Sequence, residues 1–180
     1  MIKKVLLAFL LALLLVGAYV QTRPATYTVT RSIQVSAPPA AVFAFANDFH
    51  QWTSWSPWAK IDPQMKETYS GKDSGLGAVY EWSGNDKAGA GKMVISESKP
   101  FERVAIDLTF TKPYESASVV TITVKPEGTG SAVNWTMTGA NNFMLKALSA
   151  FVSMDQMVGG DFEKGLAKLK AVSEAAAGKK

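Results

Sequence analysis

From Tyr27 onward the chain alternates. Tyr27, Val29, Ile33 and Val35 fall on one parity and Thr28, Thr30, Ser32 and Gln34 on the other, which is the two-residue period of a half-buried strand. Arg31 is the one break in the apolar set. A second strand is expected over Met65 to Ser70, and turn chemistry then punctuates the rest at Lys72-Asp73-Ser74-Gly75, Gly84-Asn85-Asp86-Lys87, Lys99-Pro100-Phe101-Glu102, Lys112-Pro113 and Glu127-Gly128-Thr129-Gly130. The clearest alternation sets Val104, Ile106, Leu108 and Phe110 against Arg103, Ala105, Asp107 and Thr109. The same apolar face is expected to collect Tyr80 and Trp82, Met93 and Ile95, Val120, Ile122 and Val124, and Val133, Trp135 and Met137. Strands joined in series by short turns predict an antiparallel meander.

The period changes twice. Pro38 and Pro39 stop the first strand and suit the first turn of a helix whose Val42, Phe43 and Ala46 share a face. Asn47 and Asp48 end that helix and offer a cap to a short second one through Phe49 to Trp52. From Asn141 to Ala177 the apolar positions Phe151, Met154, Val158, Phe162, Leu166, Leu169 and Val172 step by three and four, with Lys164, Lys168 and Lys170 off the stripe. That spacing predicts one long amphipathic helix. Gly159 and Gly160 interrupt it, each costing about 1 kcal/mol relative to Ala. They are read as close packing against a strand or loop; the functional alternative is a bend that opens a cavity, with Phe143 to Met154 as its gate. The fold class is therefore α+β: an antiparallel sheet of about seven strands, two short helices, and a long C-terminal helix on the concave face.

Ahead of the sheet, Lys3 and Lys4 precede an uncharged run from Val5 to Val20. A cleaved signal has an apolar region of about 7 to 15 residues and a spanning helix about 17 to 25, and this run falls between them. Val16 and Ala18 suit a cleavage site after Ala18, but apolar character continues through Tyr19 and Val20, which favours an uncleaved anchor. Residues 1–22 are assigned to the anchor or signal peptide and residues 23–177 to the domain. The lysines mark the cytoplasmic side, placing the domain across the membrane, in the periplasm if the source is a Gram-negative bacterium, or secreted if cleaved near Ala18.

Charge and composition narrow the chemistry. The net charge of +4 lies at the two ends: without Lys3, Lys4, Lys179 and Lys180, 15 basic residues remain against 15 acidic ones. Such a balanced body lacks the concentrated patch of a nucleic-acid binder, and nucleic acid is not an expected partner. There is no Cys, hence no disulfide, thiolate metal site or cysteine nucleophile. His50 is the only histidine, so a multi-histidine metal site is excluded and no metal or other cofactor is expected. Gly71, Gly75 and Gly77 lack the Gly-Lys-Ser/Thr ending of a phosphate loop and read as hairpin glycines. Asn134-Trp135-Thr136 matches a glycosylation acceptor inside a predicted strand. Glu67, Glu81, Glu97 and Asp107 are read as mostly solvated.

The densest aromatic stretch is Phe49, His50, Trp52, Trp55, Pro57 and Trp58. Packing at one end of the core is the plain reading; the functional one is a rim that stacks an apolar ligand. His50 and Tyr80 are weak catalytic candidates for moving a proton. The candidate ligand-binding set is Trp55, Trp58, Tyr80, Trp82, Met93, Phe110, Trp135, Phe151, Met154 and Val158.

Three segments together carry a family resemblance: Ser36-Ala37-Pro38-Pro39-Ala40-Ala41-Val42-Phe43, Trp52-Thr53-Ser54-Trp55-Ser56-Pro57-Trp58 and Gly77-Ala78-Val79-Tyr80-Glu81-Trp82. With Asn141-Asn142-Phe143 and Gly159-Gly160-Asp161-Phe162-Glu163-Lys164-Gly165-Leu166, the chain resembles the SRPBCC or START-like superfamily in its polyketide cyclase/dehydrase and lipid-transport branch, of the membrane-anchored bacterial kind. The resemblance implies the helix-grip fold, a curved sheet wrapped around the C-terminal helix with a mostly apolar cavity between them. Three functions follow as expectations. The favoured one is an envelope-exposed module that binds a hydrophobic small molecule or lipid. The alternatives are a cyclase or dehydratase using a polar cavity residue, and a protein-interaction module with a vestigial pocket.

Overall fold

A computed structural model describes residues 1–178. Seven strands form one antiparallel sheet: β1 (Thr26–Val35), β2 (Lys66–Gly71), β3 (Ala78–Ser83), β4 (Ala90–Lys99), β5 (Arg103–Lys112), β6 (Ser116–Glu127) and β7 (Gly130–Ala140). The spatial order is β1-β7-β6-β5-β4-β3-β2. The run from β2 to β7 is thus the expected meander, and β1 closes against its last member. Register puts Val29 opposite Met137, Ile122 opposite Trp135 and Ile95 opposite Ile106, so the apolar parity of each strand forms one continuous layer. Ile95, Val104, Ile106, Ile122, Val133 and Trp135 are fully buried in it.

Among the described residues five helices complete the fold: α1 (Ile2–Gln21), α2 (Pro39–Ala46), α3 (Phe49–Trp52), α4 (Phe143–Leu148) and α5 (Met154–Ala177). Pro39 opens α2, where its missing N–H is no loss. Asp48 caps α3, its carboxylate accepting the His50 backbone N–H at 2.9 Å. The helix α1 is 20 residues long with mean hydropathy 2.1, long and apolar enough to cross a membrane; an N-terminal signal sequence passes the same test. Val20 alone of its residues is buried.

The C-terminal stretch is not one helix. It breaks at residues 149–153 into α4 and α5, and each piece carries its own cap. Asn142 accepts the Leu145 N–H at 2.9 Å. Ser153 and Gln156 form a reciprocal capping box, with Gln156 N–H to Ser153 Oγ at 3.2 Å and Ser153 N–H to Gln156 Oε1 at 2.9 Å. Starting α5 at Ser153 takes Phe151 off the apolar stripe and into the connecting turn, where it is 89% exposed.

The helix α5 lies along β1 and touches α2. Phe162, Leu166 and Leu169 are buried beneath it, each worth about 1.5–3 kcal/mol of transfer free energy. Arg31, the break in the alternation of β1, points to the same side. Its guanidinium donates from Nη1 to Asp155 at 2.7 Å and from Nε to Glu163 at 2.8 Å, one turn either side of Gly159. Those hydrogen bonds raise the Arg31 pKa and lower that of Asp155. At the other end of α5, Glu174 accepts the Ser36 backbone N–H at 2.6 Å and Lys170 donates to the Gln34 carbonyl at 2.8 Å.

The helix runs unbroken through Gly159 and Gly160. A Cβ on Gly159 would collide with the Arg31 guanidinium, which is the close packing anticipated, although the neighbour is a side chain. Gly160 faces open space. Gly165 makes the less yielding approach: a Cβ there would lie 2.5 Å from the Trp135 ring and 3.1 Å from Pro57 Cδ. Accordingly, Gly160→Ala is expected to stabilise the fold by about 0.5–1 kcal/mol through helix propensity. Gly165→Ala is expected to destabilise it by about 1–3 kcal/mol, since the indole has nowhere to go. Urea unfolding of the two variants beside the parent chain measures both signs.

Candidate functional site

A cavity of about 440 Å³ lies between the sheet and the first half of α5. Tyr80 and Trp82 of β3, Met93 of β4, Leu108 and Phe110 of β5, and Trp135 and Met137 of β7 form its floor. Met154, Val158 and Phe162 of α5 form the roof, and Trp58 with α3 closes one side. Each strand residue named here carries the apolar parity of its strand, so one alternation supplies the whole floor.

Eight of the candidate ligand residues, Trp58, Tyr80, Trp82, Met93, Phe110, Trp135, Met154 and Val158, line this space. Trp55 and Phe151 do not. Trp55 is fully buried behind the cavity, its indole N–H donating to the Phe45 carbonyl at 3.1 Å and its ring edge-on to Trp135 at 5.2 Å. It is a structural side chain, whereas Trp58, three residues on, meets Trp135 and Phe162 edge-on and still reaches the cavity. Phe151 sits outside because the helix break carries it into solvent. His50 is also outside the cavity: its ring stacks on Tyr69 at 4.3 Å and its Nδ1 lies 2.9 Å from the Asp48 carboxylate. As a proton-moving group it has no contact with the enclosed space.

Sequence reasoning passed over the polar part of the lining. Glu67 is exposed, in line with its reading as a solvated carboxylate, and register adds that it lies opposite Trp82, and Tyr69 opposite Tyr80, so both sit on the concave face. The parity shared by Met65, Glu67 and Tyr69 was the available signal, and all three line the cavity. The Tyr80 hydroxyl donates to Glu67 Oε1 at 2.8 Å. Glu67 is an exposed residue that also lines the cavity, which places this pair at the rim. A second polar point is the Tyr27 and Ser118 hydroxyl pair at 2.8 Å. The Trp135 indole N–H has no acceptor among the described residues. Nor do those residues include a group of three or more His, Asp or Glu side chains able to hold a metal ion.

Burial, the Glu67 hydrogen bond and the Glu67 charge together push the Tyr80 phenol well above the ordinary tyrosine range. Burial first and then Glu67 raise Tyr69 as well. Both phenols are therefore neutral hydrogen-bond donors at physiological pH. The sign of the linkage follows: above about pH 10 the unfolded chain releases these protons and the folded chain retains them, so stability falls as pH rises past that point. Phenolate absorbance from Tyr69 and Tyr80 is expected to appear only above the ordinary tyrosine range. Tyr80→Phe is expected to flatten the loss of Tm between about pH 9.5 and 11.

A smaller cavity of about 160 Å³ adjoins the first where β1 and β7 meet α4. Tyr27, Leu145, Met154 and Met157 line both.

The family model described as "Polyketide cyclase / dehydrase and lipid transport" matches residues 26–174. Among solved structures, a protein of Chromobacterium violaceum aligns at 19% identity and a TM-score of 0.58, covering 84% of this chain and 98% of its own. A protein of Mesorhizobium loti aligns at 18% identity and 0.58, covering 81% and 96%. The Aha1 dimer of Colwellia psychrerythraea aligns at 13% and 0.52, covering 84% and 96%. At such identities the likeness concerns the fold. No curated protein matches the sequence.

Proposed function

The chain belongs to the polyketide cyclase/dehydrase and lipid transport family, and on that premise we propose that its domain holds a hydrophobic small molecule or lipid between the sheet and α5, tethered to the cell envelope by α1. The cavity is the observation that carries this reading. Its volume of about 440 Å³ falls inside the range of about 300–1,000 Å³ that suits a small organic ligand. Its walls are aromatic rings and Met side chains, with few polar atoms inside and the Tyr80 and Glu67 pair at the rim. Polarizable thioethers from Met93, Met137 and Met154 adapt to irregular apolar shapes better than branched side chains do. The ligand expected is amphiphilic, its apolar body against Trp82, Met93 and Phe110 and a hydroxyl or carbonyl near the rim. The apolar length of α1 supports an uncleaved anchor that holds the domain on the side opposite Lys3 and Lys4.

A second reading, proton transfer on a bound ketone-like substrate, has one observation in its favour. Tyr80 is a neutral phenol whose single O–H is donated to Glu67; turned onto a bound carbonyl, it polarises that oxygen and leaves the Glu67 carboxylate free to accept the substrate's proton. His50, outside the cavity, takes no part in that reading.

Cavity filling tests the first proposal. Met93→Trp or Val158→Trp in the full chain, purified in mild detergent, is expected to weaken binding of a fluorescent fatty-acid probe by about tenfold or more, with the unfolding transition retained. Tyr80→Phe removes one hydrogen bond and is expected to weaken it by about threefold to tenfold. Equal probe binding by the parent chain and both Trp variants would sink the cavity assignment. Conversion of a ketone substrate that Tyr80→Phe abolishes, with probe affinity nearly kept, would replace the carrier reading with the enzymatic one.

A further inference from the structure

The apolar surface of α4 and of the turn after it has no partner in the fold. Phe143 is 57% exposed and Met144 55%, and Leu148, Phe151 and Met157 continue the patch across the turn. Five large apolar side chains lie outward within fifteen positions, whereas the other exposed large apolar residues of the domain, Ile61, Leu76, Phe101, Tyr114 and Val119, are scattered along the chain. The one charged residue between Asn141 and Met154 is Lys146. Asp155, the next carboxylate, is engaged by Arg31.

The position of the patch says what covers it. Only residues 22–25 separate α1 from β1, a reach of at most about 14 Å even when fully extended. That linker is bonded to both ends of the α4 segment. The Arg23 guanidinium donates to the Ser149 carbonyl and, at 3.4 Å, to its hydroxyl. The Asn141 side-chain amide donates to the Pro24 carbonyl at 3.0 Å, and the Asn141 N–H to the Ala25 carbonyl at 2.8 Å. Wherever α1 leaves a bilayer, α4 is therefore held beside the exit. Apolar side chains next to Arg23 and Lys146 match the boundary between lipid headgroups and acyl chains, where aromatic rings bury and cations meet phosphate.

We propose that α4 and the turn at residues 149–153 seat in the leaflet from which α1 emerges, and that this element is the doorway between that leaflet and the ligand cavity. The partition is already thin. Leu145, Met154 and Met157 line the large cavity on one side and the small membrane-proximal one on the other. Displacing α4 toward the lipid joins the two spaces, and an acyl chain then passes from bilayer to cavity without crossing water. The proposal rests on α1 remaining in the membrane and on the cavity taking an apolar ligand.

The test exploits a chain that contains no cysteine. Single variants Phe143→Cys, Phe151→Cys, Leu10→Cys and Thr129→Cys carry an environment-sensitive fluorophore, in full-length protein reconstituted into phosphatidylethanolamine/phosphatidylglycerol vesicles containing nitroxide lipids. Thr129 lies at the far end of the 11-residue β7, about 35 Å from the anchor, and reports solvent. The labels at Phe143 and Phe151 are expected to be quenched by upper-chain nitroxides roughly threefold or more above the Thr129 label and shielded from aqueous iodide. Equal iodide access at all three, with the Leu10 label still quenched from mid-bilayer, would overturn the doorway and leave the anchor standing. Loss of Leu10 quenching as well would remove the anchor reading on which it rests. Shielding from iodide without nitroxide quenching would overturn the proposal in favour of a protein partner or a second copy. The double variant Phe143→Ser, Phe151→Ser is expected to slow uptake of a fluorescent lipid from vesicles severalfold, relative to its own affinity for the probe in detergent; an unchanged uptake rate would refute the doorway.

Discussion

A single helix has to cover the concave face of a curved sheet of seven strands, and it is too narrow to do so. The contact that decides where it lies is the stack of Trp135 on Phe162, with ring centroids 4.3 Å apart and planes 15° from parallel. Trp135 also meets Trp52, Trp55 and Trp58, and Gly165 is what lets α5 come close enough to it. Once α5 is pinned there it runs along β1, and its C-terminal part seals that side with Leu166 and Leu169. Toward β2 the floor meets the short α3, whose Phe49 and His50 lie against Tyr80 and Tyr69, and the cavity is the space that remains. Its walls are core-type side chains without a packing partner, which is why the region is both apolar and unfilled.

The polar exceptions on the concave face meet different fates for the same reason. Arg31 lies under α5, and Asp155 and Glu163 come down on it with hydrogen-bonded geometry. A cation on an apolar face is thereby turned into the joint between helix and strand. Glu67 and Tyr80 lie at the opposite edge, beyond the helix, where the Tyr80 hydroxyl donates to the carboxylate and Tyr69 stands beside the pair. This asymmetry gives the cavity a direction, with a closed hydrophobic end at Trp135 and a hydrogen-bonding end at Glu67.

The second constraint comes from the N-terminus. A short linker, stapled to α4 by Arg23 and Asn141, couples the orientation of the cavity to that of α1. The exposed Phe143 and Met144 of α4 and the cavity-lining Leu145 are consequently two sides of one helix.

Alternation along the chain was enough to determine the seven strands, the α+β class, and the parity that became the cavity floor. Local capping signals existed for both C-terminal helices, but a reading that followed only the apolar stripe joined them and misplaced Phe151. What the sequence could not reveal is how deep each residue on the apolar parity lies. Trp55 and Trp58 are equivalent by composition and spacing, yet one is locked behind Trp135 and the other faces the cavity, because depth depends on what packs across from a side chain. Glu67 reads as an exposed carboxylate and is one, but only strand pairing sets it beside Trp82, and His50 looked like a candidate base until the cap on α3 turned it outward. Periodicity is a local property and reports which face a residue occupies; burial, pairing and enclosure are made by contacts between segments far apart in sequence, and only the tertiary structure decides them.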